Sequence, residues 1–155
     1  MSEKITPFLW FDGNAEDAAN FYVSVFKDAK IKHVSRMGGD GDVMVAGFEI
    51  LGQDFIALNG RPKSIAFTEA TSFMIHCADQ AEVDHYWSHL TADGGEESMC
   101  GWLKDKFGVS WQVTPNRLME LMSDPDPSKA GRVMSAMMGM RKIVIADLEK
   151  AAEGG

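Results

Sequence analysis

A helical pattern of apolar residues occurs twice in this chain, and the second copy lies a fixed distance after the first. The matched positions, each pair 65 residues apart, are Ala18 and Val83, Phe21 and Tyr86, Tyr22 and Trp87, and Val25 and Leu90. Each pattern follows an apolar run of strand length and precedes three further runs bounded by turn residues. Repetition at a constant offset indicates a duplicated structural unit. The predicted order of each unit is β-α-β-β-β.

This repeat predicts an α+β fold, in which two βαβββ modules form a mixed, half-open barrel around a cavity. Module one spans residues 5–60, module two spans residues 70–114, and a helical tail occupies residues 115–152. Because each sheet is covered by its own helix on one side, the opposite sides are expected to enclose the cavity between the modules. A chain of 155 residues that is 45% hydrophobic can bury about two-thirds of its unfolded surface. We therefore expect residues 1–155 to form one domain.

Several polar residues are predicted to begin the helices. Asn14, with Asp17 three residues later, has the pattern of a helix N-terminus, and Asp79 with Glu82 repeats it. Ser128 is predicted to begin the longest tail helix, after a short helix at residues 116–122.

The composition disfavours two classes of partner. Fifteen Lys and Arg stand against 23 Asp and Glu, a net charge of −8, which would repel a nucleic-acid backbone. No stretch approaches the ~20 apolar residues of a membrane span, and no signal segment is visible at the start. We expect a cytoplasmic protein in which Cys77 and Cys100, whose spacing fits no CxxC motif, are free thiols.

Strand alternation predicts which side chains line the cavity, since successive residues of a strand point to opposite faces. The predicted lining is apolar with a few neutral hydrogen-bonding groups, and it consists of Leu9, Phe11, Phe55, Ala57, Asn59, Phe73, Ile75, Cys77, Ser110 and Gln112. The intervening residues are then predicted to face the helices, namely Trp10, Ile56, Met74, Trp111 and Val113. Such a lining suits a flat or lipophilic small molecule with one or two polar groups. The alternative is a collapsed core filled by the three phenylalanines.

Four segments carry a resemblance to a known family. They are 5-ITPFLWFDGNAE-16, 57-ALNG-60, 100-CGWLKDKFGVSWQ-112 and 123-SDPDP-127. Together they resemble the PhnB-like branch of the vicinal oxygen chelate superfamily, which includes glyoxalases, bleomycin-resistance proteins and ring-cleaving dioxygenases. Sequences of this branch are often labelled 3-demethylubiquinone-9 3-methyltransferase. The resemblance runs from Ile5 to about Ala151 and implies the same duplicated fold.

The resemblance also implies four metal-ligand positions, one near the first strand and one near the last strand of each module. They fall near Pro7, Ala57, Phe73 and Gln112, and only Gln112 offers an oxygen. The neighbouring oxygens, on Thr6, Asn59 and Ser72, are neutral as well. A divalent ion needs several imidazole, thiolate or carboxylate ligands. We therefore expect no metal.

The histidines are predicted to be structural or solvent-exposed. His85 and His89 stand four apart on helix two, a spacing that can hold a metal, but they lie beside its apolar stripe and are expected to face solvent. His76 is expected to pack under helix two, on the opposite face from Cys77. His33 is expected to be an ordinary strand residue.

Four functions remain open at this level. The first is metal-free binding of a small, partly apolar molecule. The second is methyl transfer from S-adenosylmethionine to a demethylubiquinone-like phenol, although residues 38–41 favour a hairpin loop over a cofactor loop. The third is metal-dependent chemistry of the glyoxalase or dioxygenase type, which the substituted ligand positions disfavour. The last is a homodimer formed through the methionine-rich tail.

Overall fold

The structure is a computed structural model that describes residues 5–39 and 41–154. The chain divides into two compact units, residues 1–66 and residues 67–155. Unit 1 contains β1 (Phe8–Phe11), α1 (Ala15–Val25), β2 (Lys30–Arg36), β3 (Val43–Ile50) and β4 (Gln53–Asn59). Unit 2 contains β5 (Ser72–Cys77), α2 (Gln80–Thr91), β6 (Glu96–Glu97), β7 (Trp102–Lys104), β8 (Ser110–Pro115), α3 (Asn116–Met122), α4 (Pro127–Met138) and α5 (Ile145–Ala152). The predicted order of elements is confirmed in both modules.

The two sheets have the same topology. Their strand orders are β1-β4-β3-β2 and β5-β8-β7-β6. In each sheet the first and last strands of the module run parallel, and the other neighbours run antiparallel. Each unit is therefore a four-stranded mixed sheet that remains open, and the predicted α+β class is confirmed.

In unit 1, α1 packs on one face of the sheet through small residues. Ala15, Ala18 and Ala19 are fully buried, which allows the helix backbone to approach the sheet closely. Tyr22 then stacks on Phe48 of β3, with ring centroids 5.7 Å apart. Phe48 in turn stacks on its register partner Phe55 at 5.4 Å.

In unit 2, α2 packs on the equivalent face and the tail adds a second core. The buried side chains of α2 are Val83, Tyr86, Trp87 and Leu90, the residues of the repeated pattern. The tail core consists of Leu118, Leu121, Val133, Ile143, Leu148 and Ala152, with Met122, Met137 and Met140 packed against it. Methionine adapts to irregular gaps, which explains its use where three short helices meet.

The two helices begin in different ways. The prediction for α2 is confirmed, because Asp79 Oδ1 accepts from the Glu82 amide at 2.9 Å and Glu82 Oε1 accepts from the Ala78 amide at 2.6 Å. The prediction that the Asn14 side chain caps α1 is wrong, since it makes no cap hydrogen bond. Instead, Asn59 at the end of β4 accepts from the Ala15 amide at 2.9 Å.

The start of α4 also differs from the prediction. Asp126, and not Ser128, occupies the cap position, and its carboxylate accepts from the Ser128 amide at 3.0 Å. The helix begins two residues earlier than expected because Pro127 fits the first turn, where its missing amide hydrogen is not needed.

Candidate ligand-binding faces

Each sheet has one face covered by its helix and a second face that we call the helix-free face. In unit 1, Phe48 lies on the side of α1, because it stacks on Tyr22 of that helix, and its register partner Phe55 shares this side. Two residues along each strand, Ala46 pairs with Ala57 and Ala57 with Leu9, so these three residues also lie on the side of α1. In unit 2, Cys77 lies on the side of α2, where the carboxylates of Asp79 and Glu82 act on its thiol.

These contacts correct most of the predicted cavity lining. Eight of the ten residues lie on the helix-covered faces rather than opposite them, namely Leu9, Phe11, Phe55, Ala57, Asn59, Phe73, Ile75 and Cys77. On β1, β4 and β5 the prediction had the alternation right and the side wrong, because alternation alone does not reveal which of two apolar faces receives the helix; on β8 the predicted sides are correct. The predicted helix-facing residues Trp10, Ile56 and Met74 are wrong for the same reason, while Trp111 and Val113 do lie on the side of α2.

The side chain of Asn59 has a structural role in unit 1. Its amide accepts from the Ala15 N–H and donates to the Val43 carbonyl at 2.8 Å. Both ends of the side chain are therefore paired, and it ties the end of β4 to α1 and to β3.

Cys77 is equally unsuited to a reactive role. It is fully buried, and burial raises the pKa of its thiol to about 12, with the nearby Glu82 and Asp79 adding to the shift. The thiolate is the nucleophile, so a thiol with such a pKa is inert near neutral pH.

Beside β1, the helix-free face of unit 1 is apolar and partly open to solvent, whereas its other end carries Asp54, which pairs with Lys32 at 3.0 Å. Phe8 and Trp10 are 58% and 38% exposed, and the half-buried Ile56 and Leu58 lie beside them on β4. The sequence analysis assigned Trp10 and Ile56 to the helix side and did not consider Phe8 and Leu58.

The helix-free face of unit 2 carries polar groups as well. Ser110 and Gln112, the two predicted residues on this face, alternate along β8 with the buried Trp111. Gln112 Nε2 donates to Ser72 Oγ at 2.9 Å, and Met74 and Trp102 are the register partners of Gln112 on either side. Lys104 forms a 3.0 Å ion pair with Glu69 at this face.

A buried carboxylate shapes the hairpin between β7 and β8. Asp105 is 2% exposed and accepts from the amides of Phe107 and Val109 at 2.9 and 3.1 Å. Its second oxygen accepts from Trp111 Nε1 at 2.9 Å. The long motif at residues 100–112 therefore has a structural explanation, since Asp105 holds the turn and Trp111 together. The sequence analysis missed this role of Asp105, although the sequence shows an aspartate in a predicted turn six residues before Trp111.

The histidines form no site with the other ligating residues. His85 and His89 are exposed on α2 as predicted, with ring centroids 4.3 Å apart. His76 is exposed on the helix-free face, so the prediction that it packs under α2 is wrong, whereas its separation from Cys77 on opposite faces is confirmed. The imidazole of His33 occupies the space that a side chain at Gly47 would fill.

The residues at the superfamily's metal positions do not fit a metal ion. Ala57 and Phe73 carry no ligand atoms and face the helices, and the oxygens of Ser72 and Gln112 belong to neutral groups that bond to each other. Within residues 5–39 and 41–154, no group of three or more His, Cys, Asp or Glu side chains could hold an ion.

A usual cofactor loop for S-adenosylmethionine is not present in the described part of the chain either. Residues 38–41 connect the antiparallel strands β2 and β3, with a Met37 amide to Asp42 carbonyl bond at their base, and Asp40 lies outside the described residues. A loop that holds a nucleotide cofactor normally joins a parallel strand to a helix.

Two surface cavities lie near the helix N-termini. One of about 400 Å³ in unit 1 is bordered by Glu16, Asp17 and Asp42, with Arg36 paired to Glu16 at 2.9 Å. The other, of about 660 Å³ in unit 2, contains the Arg117–Glu149 ion pair. Their charged groups are paired within the protein or solvent-exposed, and neither cavity includes the predicted lining apart from Asn59.

Comparison with solved structures defines the class of this protein. The PhnB protein from Bacillus cereus is 36% identical, with a TM-score of 0.68, and the match covers 73% of this chain and 99% of that chain. A protein from Pseudomonas aeruginosa matches with a TM-score of 0.62 at 20% identity, over 74% of this chain and 98% of the other. A genomically encoded fosfomycin resistance protein from Listeria monocytogenes matches with a TM-score of 0.56 at 16% identity, over 80% and 99%. The duplicated mixed sheets are thus those of the vicinal oxygen chelate superfamily.

The family is narrower than the fold. The model of the family described as 3-demethylubiquinone-9 3-methyltransferase matches residues 3–114, which include both modules. The chain belongs to this family, in its PhnB-like branch. No curated protein matches the chain. Within the described ranges, no helix is long and apolar enough to cross a membrane.

Proposed function

We propose that this protein binds a small, partly apolar molecule against the helix-free faces of its sheets, without the metal of its superfamily. The observation that supports the proposal most strongly is the exposure of large apolar side chains there. Phe8, Trp10 and Met74 are 58%, 38% and 40% exposed on sheets whose other faces are buried. Large apolar side chains left exposed on a sheet face are typical of binding sites. The cavity that the repeat predicts between the modules remains a prediction.

The chemistry of these faces supports the ligand class. Unit 1 offers aromatic and aliphatic side chains, and unit 2 offers a neutral amide and hydroxyl between Met74 and Trp102. Apolar walls with few polar groups suit a flat molecule that carries one or two polar substituents.

The proposal is tested with nitrobenzene, a flat apolar probe, by saturation-transfer NMR. A double variant with Trp10→Ala and Trp102→Ala, one change on each helix-free face, is expected to weaken binding at least about fivefold, because it removes a large aromatic contact from both faces. Met138→Ala, which truncates an exposed tail residue, serves as the control and should leave binding unchanged. Equal binding by the wild type and the double variant, or no binding at all, would overturn the proposal.

The second candidate is methyl transfer to a demethylubiquinone-like phenol, and the family description favours it. A quinone-like phenol would suit the same faces, but the methyl donor would need a site other than the loop at residues 38–41. Calorimetry with S-adenosylmethionine, followed by an assay of methyl transfer to catechol, tests this candidate. It fails if neither binding nor a methylated product is observed.

Metal-dependent chemistry of the glyoxalase or dioxygenase type is the candidate with least support, because the donor set is neutral. Elemental analysis of the purified protein tests it. Stoichiometric zinc, nickel, manganese or iron would overturn the metal-free proposal.

We also propose that the tail forms a homodimer contact. Met119, Met134 and Met138 remain 49%, 39% and 61% exposed on α3 and α4, whereas Met122, Met137 and Met140 pack on the tail core. Light scattering tests this proposal, and a strictly monomeric mass would contradict it.

A further inference from the structure

Ser110 carries a buried hydroxyl that the fold does not use. Its side chain is 2% exposed, and its Oγ has no hydrogen-bond partner among the described residues. Leaving such a group buried and unpaired destabilises the folded protein. Buried hydroxyls in native proteins are nearly always paired with protein, water or ligand. The neighbouring Ser72 hydroxyl, by contrast, accepts from Gln112.

The strand register places Ser110 in the middle of a polar row on the helix-free face of unit 2. Ser72 is its partner on β5 and Lys104 is its partner on β7. The next row along the strands consists of Met74, Gln112 and Trp102. The residue with the unpaired hydroxyl therefore lies next to a lysine on the neighbouring strand and adjoins a row that includes a thioether and an indole.

We propose that Ser110 Oγ donates a hydrogen bond to the oxygen of a phenol or enol whose ring lies against Met74 and Trp102. This inference rests on the proposed function and specifies its ligand class. Lys104 would stabilise negative charge on the same oxygen, since hydrogen bonds and ion contacts to a charged oxygen are stronger than those to a neutral one. The apolar ring suits the thioether and indole surface.

The side chain of Lys104 can move to admit the ligand. Its partner Glu69 is exposed, with 39% and 67% of the two side chains open to solvent. An ion pair in solvent holds its partners weakly. Lys104 can therefore exchange Glu69 for a ligand oxygen.

A matched pair of probes tests the inference. 4-Nitrophenol and nitrobenzene share a ring and differ in one hydroxyl. The wild type is expected to bind 4-nitrophenol about tenfold more tightly than nitrobenzene, because only 4-nitrophenol gives Ser110 a phenolic oxygen, a stronger partner than the nitro group that both probes carry. Ser110→Ala should abolish this preference while leaving nitrobenzene binding unchanged.

Two further measurements make the result decisive. Ser110→Ala should leave the melting temperature unchanged or raise it, since the substitution removes an unpaired buried hydroxyl. Ser123→Ala, whose hydroxyl donates to the Met119 carbonyl in the tail, should retain the preference for the phenol. A fall in the melting temperature of Ser110→Ala by several degrees would overturn the inference, because it would mean that the hydroxyl is paired within the protein.

The outcomes separate this inference from the proposed function. Equal binding of the two probes by the wild type would overturn the role of Ser110 and leave the proposed function standing. Binding of neither probe would overturn both.

Discussion

The two units share one topology, yet their helix-free faces differ in chemistry. Unit 1 presents Phe8, Trp10 and Leu58, whereas unit 2 presents a row with Ser110 and Lys104. The helix-covered faces are apolar in both units. Duplication has thus kept the buried side of each sheet similar, because the repeated helix must pack on it. The other side, under no such constraint, differs between the copies.

The units also differ in how their loops are held. Unit 2 contains the buried carboxylate of Asp105, and its tail bonds to the turn between β6 and β7 through the amides of Cys100 and Gly101. In unit 1, the side chain of Asn59 links β4 to α1. The predictions below test this contrast, beginning with the largest expected effect.

Asp105→Ala is expected to destabilise unit 2 by about 3–5 kcal/mol, since it leaves three buried donors without an acceptor. Asp54→Ala in the corresponding hairpin of unit 1 is the control, because that carboxylate only pairs with the exposed Lys32. Thermal denaturation followed by near-ultraviolet circular dichroism measures both. Similar midpoints for the two variants would show that the buried carboxylate adds nothing particular to unit 2.

Gly101→Ala is expected to cost about 2–4 kcal/mol, combining backbone strain with overpacking. The glycine has a φ of +83°, and a Cβ would lie 2.8 Å from Ile143 Cδ1 and 2.9 Å from the Val113 carbonyl oxygen. Gly13→Ala in unit 1 has a comparable φ of +91° but open space around it, so it should cost only about 1–2 kcal/mol. Chemical denaturation compares the two. Equal losses of unfolding free energy in the two variants would mean that the packing of Ile143 on the β6–β7 turn does not add to the cost of a side chain at Gly101.

Asn59→Ala is expected to cost about 1–2 kcal/mol, because two paired groups of unit 1 lose their partner. Asp79→Ala in unit 2 removes a helix cap and should cost about 1 kcal/mol. Urea denaturation curves of the two variants measure the difference. An unchanged free energy of unfolding in Asn59→Ala would contradict the structural role of this asparagine, and Asn59 would again be a candidate ligand contact.

The smallest effect concerns the thiols and leaves stability unchanged. With the pKa of Cys77 raised to about 12 by burial, a thiol reagent at pH 8 should modify Cys100 alone in the folded protein. Both thiols should react after unfolding in urea. Two reactive thiols in the native state would place Cys77 on an accessible face and contradict the face assignment.

The fold was largely predictable from the sequence, because the apolar spacing of Phe21 and Tyr22 recurs at Tyr86 and Trp87 and fixes the repeat. α3 (Asn116–Met122) begins and ends where it was predicted. Local sequence signals of this kind agree with the folded structure because they reflect backbone geometry.

The faces could not be assigned with the same success. Leu9 and Phe11 alternate with Phe8 and Trp10, so both faces of β1 are apolar and its sequence does not show which face receives the helix. The side that receives α1 depends on the pairing of β1 with β4 and on the small residues of the helix, which are tertiary facts. The position of Ser110 was predicted, whereas its unpaired hydroxyl becomes visible only with the neighbouring strands in place.

The central claim is that ligands bind the helix-free faces, and the four tryptophans test it within one molecule. Trp10 and Trp102 lie on these faces, whereas Trp87 and Trp111 are buried on the other side and bonded to Glu97 and Asp105. The measurement is fluorine NMR of protein labelled with 5-fluorotryptophan, titrated with 4-nitrophenol. We predict that the resonance of Trp102, which shares its face with Ser110, shifts to saturation while those of Trp87 and Trp111 stay in place. A shift confined to Trp87 and Trp111, or no shift at all, would contradict the account.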